Sequence, residues 1–129
     1  MAKSAIILAA GLGQRMRPLT DTLPKPLISV AGKSMLERAF DHLQKAGVSH
    51  IVVNTHYLAH HIVEKVKTFR PHTLISYEDI LLETGGGIKK ALPLLGPDTF
   101  FALNGDSIWS GSESLIAMEK KWDKQKMDA

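Results

Sequence analysis

The stretch SAIILAAGLGQRMRPLT, residues 4–20, decides the fold. Its first part, residues 4–10, is an unbroken apolar run, which is typical of a strand buried on both faces of a parallel sheet. The glycines, arginines and prolines that follow predict a loop over residues 11–26. Ligands of open α/β sheets bind beyond the carboxyl ends of the strands, so this strand and its loop predict a site as well as a fold class.

Outward from this stretch, strand patterns alternate with helix patterns. Further strands are predicted at residues 50–54, 73–77 and 99–103. Helices are predicted from Ser34, over residues 59–69, and from about 88 to 95 after a glycine-rich turn at residues 83–87. The alternation predicts an α/β fold, with three α/β/α layers around a mostly parallel, Rossmann-like sheet.

The helix that begins at Ser34 has the clearest local signals. Glu37 follows Ser34 at the spacing of a capping box, and Gly47 stands where a C-terminal cap is expected. The predicted buried stripe of this helix comprises Leu36, Ala39, Phe40 and Leu43.

A last helix is predicted near the end of the chain, capped by Ser112 or Ser114, with Leu115, Met118 and Trp122 on one face. Residues 126–129 close this helix at a point where the alternation calls for another strand. We therefore expect residues 1–129 to be the N-terminal part of one longer domain.

Composition narrows the classes of partner. Hydrophobic residues make up 44% and charged residues 22%, as in globular domains, and no apolar run is long enough to cross a bilayer. The N-terminus has no signal-peptide pattern, and the lack of cysteine excludes disulfides and thiolate catalysis. We therefore expect a cytoplasmic protein with no membrane partner. The net charge is +3 but aromatic residues make up only 6%, so a nucleic-acid partner is not expected either.

Residues suited to phosphate chemistry follow the predicted strands. In the first loop, Gly11 and Gly13 allow the backbone to approach phosphate oxygens, and Arg15 and Arg17 add charged donors able to bind phosphate bidentately. Lys25 stands between two prolines, whose fixed φ angles reduce the freedom lost on binding. Asp106 follows the strand at residues 99–103 and offers the carboxylate that Mg²⁺ prefers beside phosphate oxygens and water.

Each of these features also has an ordinary interpretation. The glycine loop resembles any strand-to-helix turn, Lys25 fits a rigid surface loop, and Asn-Gly-Asp is a common turn sequence. A dinucleotide fingerprint is disfavoured, since Met16 stands where its third glycine belongs. A P-loop ending at residues 32–34 is rejected, since Leu27 stands at its first glycine, and a turn followed by a helix cap explains these residues better.

Four further polar residues are open to more than one interpretation. Glu83 either contacts the ligand or leads into the glycine turn. His56, His60 and His61 suggest zinc by spacing, but there is no convincing third ligand, so we interpret them as surface or pocket-lining histidines.

Together, L-A-A-G-x-G-x-R-M-x-P-L-T from Leu8 and P-K-P-L at residues 24–27 resemble the signature of the sugar-1-phosphate nucleotidyltransferases, or sugar-nucleotide pyrophosphorylases. The triple glycine at residues 85–87 and Asn-Gly-Asp at residues 104–106 follow in the family's order, so the resemblance covers essentially the whole chain. It implies an enzyme that condenses a nucleoside triphosphate with a sugar 1-phosphate, giving a nucleotide sugar and pyrophosphate with the help of Mg²⁺.

The resemblance also implies roles for individual residues. Arg15, Lys25 and Asp106 are the implied catalytic residues, and Asp106 is the implied ligand of Mg²⁺. The implied nucleotide-binding set is Leu8, Ala9, Ala10, Gly11, Gly13, Arg15, Gly85 and Gly86.

Within the family, the sequence is similar to short bacterial enzymes that use UTP with N-acetylmuramate 1-phosphate, which is the favoured substrate pair. GTP with mannose 1-phosphate is the alternative, and a non-catalytic nucleotide-binding or regulatory module is the alternative from another class. Family members are longer and their later part contacts the sugar, so we expect the 129-residue chain alone to turn over negligibly.

Overall fold

The computed structural model describes residues 2–111 and 113–129. Its strands are β1 (Ser4–Leu8), β2 (Ser29–Val30), β3 (Lys33–Ser34), β4 (His50–Thr55), β5 (Leu74–Tyr77) and β6 (Phe100–Asn104). Its α-helices are α1 (Met35–Lys45), α2 (Ala59–Phe69), α3 (Glu83–Leu95) and α4 (Ser114–Lys121). Across the described ranges, no helix combines the length and the apolar character needed to cross a membrane.

The main sheet has four parallel strands in the order β5-β4-β1-β6. Successive side chains of a strand point to opposite faces, so β1 contributes to two cores. Ala5 and Ile7 pack in the larger core, with residues of α1, α2 and α4. Ile6 packs on the other face against Ala91 and Leu95 of α3. The predicted three-layer α/β/α fold with a parallel sheet is therefore confirmed.

The capping box of α1 forms as predicted. The Ser34 hydroxyl accepts from the Glu37 amide at 3.2 Å, and the Glu37 carboxylate accepts from the Ser34 amide at 3.1 Å. Hydrogen bonds from Ser34 hold the pKa of Glu37 below its usual value of 4.5. Gly47 adopts φ of 80° just after the helix, which favours glycine. The predicted stripe, Leu36, Ala39, Phe40 and Leu43, is buried.

The first strand is shorter than predicted. It ends at Leu8, although Ala9 and Ala10 remain buried at 2% and 6% exposure. The Ala9 amide leaves the ladder because it donates to the Asn54 side chain at 2.7 Å. The apolar run was therefore a correct sign of burial but not of strand length. By contrast, the prediction for α2 matches its bounds.

The predicted glycine turn at residues 83–87 is wrong, since α3 already begins at Glu83 and contains all these glycines. Glycine normally disfavours a helix interior. At Gly87 a tertiary contact decides instead, since an added Cβ would lie 2.6 Å from Asn54 Nδ2. Only a residue without Cβ allows the helix to approach the sheet this closely.

A small hairpin, β2–β3, was not predicted. Its two-residue turn has positive φ at both positions, 50° at Ala31 and 79° at Gly32, as a type I′ turn requires. Ser34 follows as the cap of α1, in agreement with the rejection of a P-loop. The preceding loop holds two short 3₁₀ turns, Gln14–Met16 and Lys25–Leu27.

The last helix differs from its prediction. Ser114 is its first residue rather than its cap, and the Ser114 hydroxyl bonds His42 Nε2 at 3.0 Å; Ser112 lies outside the described residues. Leu115 is buried, but Met118 is 60% exposed, and the helix ends at Lys121, before residues 126–129. Burial of His42, with a smaller contribution from Lys45, lowers the pKa of its imidazole below 6.5.

Candidate functional site

A cleft of about 560 Å³ opens at the carboxyl ends of the central strands. The chain leaves β1 for β4 on one side of the sheet and later returns to β6 on the other, which is the reversal where open α/β sheets bind ligands. The residues that line it are Leu8, Ala9, Ala10, Gly11, Leu12, Gly13, Gln14, Arg15, Met16, Lys25, Pro26, Asn54, Leu81, Glu83, Thr84, Asn104 and Asp106.

The glycine loop after β1 is held in shape by side chains behind it. Gly13 has φ of 63°, and an added Cβ would lie 3.0 Å from the methyl carbon of Thr20. The hydroxyl of fully buried Thr20 donates to the Gly13 carbonyl at 2.6 Å, and the Tyr57 hydroxyl donates to the Thr20 carbonyl at 2.7 Å. The loop therefore presents a fixed backbone to the cleft.

Lys25 reaches into the cleft from the start of a 3₁₀ turn. Pro24 before it is extended, with φ of −64°, and Pro26 after it is buried. Lys25 Nζ lies 2.7 Å from Asp106 Oδ2, and the two side chains are 27% and 34% exposed. A cation and a carboxylate thus share the wall of the cleft and both remain accessible to a ligand.

Asp106 owes its place to the glycine before it. The Gly105 amide donates to the Leu8 carbonyl at 2.9 Å, which ties the end of β6 to the end of β1. An added Cβ at Gly105 would lie 3.0 Å from that carbonyl oxygen and 3.2 Å from Ile7 Cγ2. The close approach of the two strand ends brings Asp106 to the cleft.

The carboxylate of Asp106 suits a partial magnesium site. Mg²⁺ is commonly held by one or two carboxylates, with phosphate oxygens and water completing the shell. Within the described ranges, no three histidine, cysteine or acidic side chains come together as a metal cage. The Asp106 carboxylate, 34% exposed beside Lys25, is chemically suited to be one ligand of such an ion.

Arg15 lies at the rim of the cleft. It is exposed, and it forms no ion pair with any residue that the structure describes. Arg17 nearby is different, because its guanidinium faces Asp21 at 3.4 Å. Of the two loop arginines predicted to bind phosphate, Arg15 lines the cleft and Arg17 is not among its lining residues.

The first turn of α3 closes the far side of the cleft. Glu83 and Thr84 line it, so Glu83 is placed at the ligand side rather than merely before a turn. Glu83 has φ of 59°, a left-handed conformation that costs a residue other than glycine about 1–2 kcal/mol. Gly85 and Gly86, which were predicted to bind nucleotide, follow in the same helix and are not among the residues that line the cleft.

Two polar residues at this edge were missed from the sequence. Asn54 lines the cleft at 2% exposure, and Glu78, fully buried behind it, accepts from Asn54 Nδ2 at 2.9 Å. Asn54 stands next to the last residue of β4 and Glu78 follows β5, and this place at strand ends was the available signal. Neither stands in a recognisable motif, and their pairing joins segments far apart in the chain.

Across residues 5–129, the chain matches the sequence model of the MobA-like NTP transferase domain. The chain belongs to this family. The match covers nearly the whole chain and confirms the nucleotidyltransferase resemblance drawn from the glycine loop and the lysine between prolines.

Two relatives of this NTP transferase chain are named as nucleotidyltransferases that act on sugar 1-phosphates. It is 46% identical to N-acetylmuramate alpha-1-phosphate uridylyltransferase of Caulobacter vibrioides, over 98% of the chain and 55% of that protein. It is 39% identical to mannose-1-phosphate guanyltransferase of Neurospora crassa, over 79% of the chain and 30% of that protein. The chain thus spans about half the length, or less, of the curated relatives it matches.

A solved structure has the same fold. HddC from Yersinia pseudotuberculosis, complexed with GMP-PN, superposes with a TM-score of 0.77 at 29% identity. The superposition covers 92% of this chain and 54% of that one.

The NTP transferase chain brings most of the predicted site residues to one cleft. Leu8, Ala9, Ala10, Gly11, Gly13, Arg15, Lys25 and Asp106 all line it. Their roles toward a ligand stay predictions. The histidines lie apart from the wall: His56 Nδ1 donates to the Glu78 carbonyl at 2.7 Å, and His60 and His61 contact each other with ring centroids 4.1 Å apart.

Proposed function

We propose that this chain is the nucleotide-binding part of a sugar-1-phosphate nucleotidyltransferase that uses UTP and N-acetylmuramate 1-phosphate and acts in the cytoplasm. The observation that carries the proposal is the Lys25–Asp106 pair, 2.7 Å apart, in the cleft beside the glycine loop. One group suits phosphate and the other suits the metal that accompanies phosphate.

The reaction asks the protein mainly for positioning and charge neutralisation. An oxygen of the sugar phosphate forms a bond to the α-phosphorus as the bond to pyrophosphate breaks. Gly11, Gly13 and Arg15 line the cleft, and in this proposal the backbone amides near the two glycines and the Arg15 guanidinium hold the triphosphate. Lys25 leaves its ion pair with Asp106 and contacts phosphate oxygens, where its positive charge offsets the negative charge that develops on them.

Asp106 is the residue that would hold Mg²⁺. When bound, the ion supplies charge neutralisation on the phosphate oxygens. The carboxylate is 34% exposed, and it becomes available once Lys25 turns to phosphate.

Two observations bear on the base and the sugar. The uridylyltransferase relative aligns with 98% of the chain at 46% identity, which favours UTP with N-acetylmuramate 1-phosphate. The guanyltransferase relative supports the second candidate, GTP with mannose 1-phosphate, and the HddC complex with GMP-PN supports its guanine nucleotide. Because the chain spans only part of the length of its relatives, we expect the 129 residues alone to catalyse the reaction at a negligible rate.

A binding experiment tests the proposal. Thermal unfolding of the chain is measured with UTP, GTP, CTP, dTTP and ATP, each with Mg²⁺; a ligand at 100 times its Kd adds about 2.7 kcal/mol of stability. We expect the largest shift with UTP, whereas a larger GTP shift would favour the second candidate. A chain that no nucleoside triphosphate stabilises would refute the proposal.

Substitutions separate a catalytic cleft from a passive nucleotide-binding module. Lys25→Gln should weaken UTP binding about 10- to 100-fold, from loss of a charge-assisted contact. Lys33→Gln is the matched control, since Lys33 pairs with Asp41 outside the cleft. Asp106→Asn should remove the Mg²⁺ dependence of binding. In the full-length protein, both cleft variants should abolish pyrophosphate release, and turnover that survives either one would favour another catalytic arrangement.

A further inference from the structure

Glu78 is a buried carboxylate that takes no direct part in the proposed reaction. It follows β5, has no exposed surface, and accepts two hydrogen bonds, one on each oxygen. Oε2 accepts from Asn54 Nδ2 at 2.9 Å, and Oε1 accepts from the Leu82 amide at 3.0 Å. No lysine, arginine or histidine side chain of residues 2–111 and 113–129 pairs with it. A buried charge held only by hydrogen bonds needs every one of them.

The hydrogen bonds continue through Asn54 to the glycine loop. Asn54 Oδ1 accepts from the Ala9 amide at 2.7 Å. The chain of bonds therefore runs from Ala9, through Asn54 and Glu78, to Leu82. Ala9 and Asn54 line the cleft, and Leu82 lies within the segment from Leu81 to Thr84 that closes its far side.

The donors and acceptors in this chain admit only one arrangement. Both ends are backbone amides, of Ala9 and Leu82, which only donate. The two side chains between them must provide three acceptors and one donor. An asparagine and a glutamate that accepts on both oxygens meet this requirement, and the requirement fixes the orientation of the Asn54 amide.

Helix α3 is packed so closely that the pair has no room to rearrange. A Cβ on Gly87 would lie 2.6 Å from Asn54 Nδ2 and 2.9 Å from Glu78 Oε2. A water molecule therefore has no space on this side to replace a lost hydrogen bond.

We propose that Glu78 and Asn54 form a positioning pair, which sets the distance between the glycine loop and the start of α3 and so shapes the cleft for the nucleotide. The inference rests on the proposed function. Neither residue is assigned a role in the chemistry; they act through the backbone of Ala9 and Leu82.

Exchanging the acid and the amide tests the pair. Glu78→Gln leaves two donors facing each other somewhere in the chain, and Asn54→Asp places two carboxylates together with no donor between them. The double variant, Asn54→Asp with Glu78→Gln, again provides three acceptors and one donor. We expect about tenfold weaker Mg·UTP binding in each single variant, a change of about 1.4 kcal/mol. We expect the double variant to recover affinity to within about threefold of the original chain.

Two further measurements make the test specific. Hydrogen exchange of the Ala9 and Leu82 amides should accelerate at one or both sites in the single variants and slow again in the double variant. Ser34→Ala is the control, because it lowers stability at α1 without touching the cleft and should leave the Kd for Mg·UTP unchanged. If a single variant fails to fold, the double variant still tests recovery of folding, amide protection and affinity.

The outcomes separate the two proposals. Single variants that bind Mg·UTP as tightly as the original chain, or a double variant no better than the weaker single one, would overturn the positioning pair. If the original chain binds no nucleoside triphosphate, the proposed function fails, while the exchange pattern of Ala9 and Leu82 still reports on the pair itself.

Discussion

Replacing Gly87 by alanine is expected to destabilise the fold, although alanine is the better helix former. By propensity alone, alanine in a helix gains about 1 kcal/mol over glycine. At Gly87 the new Cβ would lie 2.6 Å from Asn54 Nδ2, against about 3.4 Å for ordinary contact, so something must move by about 0.8 Å. Overpacking of this kind costs about 1–3 kcal/mol. Moving Asn54 also breaks its bond to Glu78, and a hydrogen bond to a charged group is worth about 1.5–3 kcal/mol. With the propensity gain subtracted, we expect a net loss of about 3 kcal/mol.

The same helix provides a matched control. Gly85 is exposed, and an added Cβ there would meet nothing within 4 Å. Gly85→Ala should therefore leave stability unchanged or raise it by up to about 1 kcal/mol. The two substitutions are chemically identical and stand two residues apart, so their difference isolates the contact with Asn54 and Glu78.

Urea denaturation of the original chain and both variants measures the effect. In thermal denaturation, a loss of about 3 kcal/mol corresponds to a fall in Tm of roughly 11 °C for a domain of this size. If Gly87→Ala is as stable as Gly85→Ala, the contact with Asn54 does not restrain α3, and α3 does not pack tightly against the sheet at this point.

Three other substitutions have definite expectations. Ser34→Ala should lower the free energy of unfolding by about 1 kcal/mol, measured by urea denaturation. Because the fold lowers the pKa of Glu37, the stability contributed by the Ser34–Glu37 hydrogen bonds is present above pH 4.5 and should shrink as the pH falls below it. Burial lowers the pKa of His42, so stability should fall as the pH decreases below 6.5, and a His42→Gln variant that shows the same fall would contradict this origin. Gly105→Ala should cost about 1–2 kcal/mol by overpacking, since its Cβ would lie 3.0 Å from the Leu8 carbonyl oxygen, and unchanged unfolding would refute the close approach.

Features that depend on neighbouring residues could be predicted from the sequence. The capping box of α1 joins Ser34 to Glu37 three residues later, so the residues that form it are visible together. The alternation of apolar strands and helices likewise identified the sheet and the edge where ligands bind. Asp106 was found because it follows a predicted strand at the edge where ligands bind, and Lys25 because it stands between two prolines in the loop after β1; both line the cleft.

Features set by distant contacts could not be predicted. The start of α3 was misplaced because glycine is a poor helix former, and the reason for Gly87 lies on β4. Asn54 and Glu78 were missed for the same reason, since each is ordinary alone and their pairing spans 24 positions. A turn was predicted within residues 32–34, but the hairpin around it was not, because its strands are only two residues each and too short for a periodic pattern.

The hydrogen bonds of Thr20 and Tyr57 behind the glycine loop have a consequence for the thermodynamics of binding. Flexible loops lose conformational entropy when a ligand orders them, at about 1–2 kcal/mol for each residue fixed. Here the Gly13 carbonyl is already held by the Thr20 hydroxyl, and Thr20 by Tyr57. The conformational entropy of this loop is therefore lost when the chain folds rather than when a ligand binds. Tyr57, which does not line the cleft, should influence affinity through the entropy of binding more than through its enthalpy.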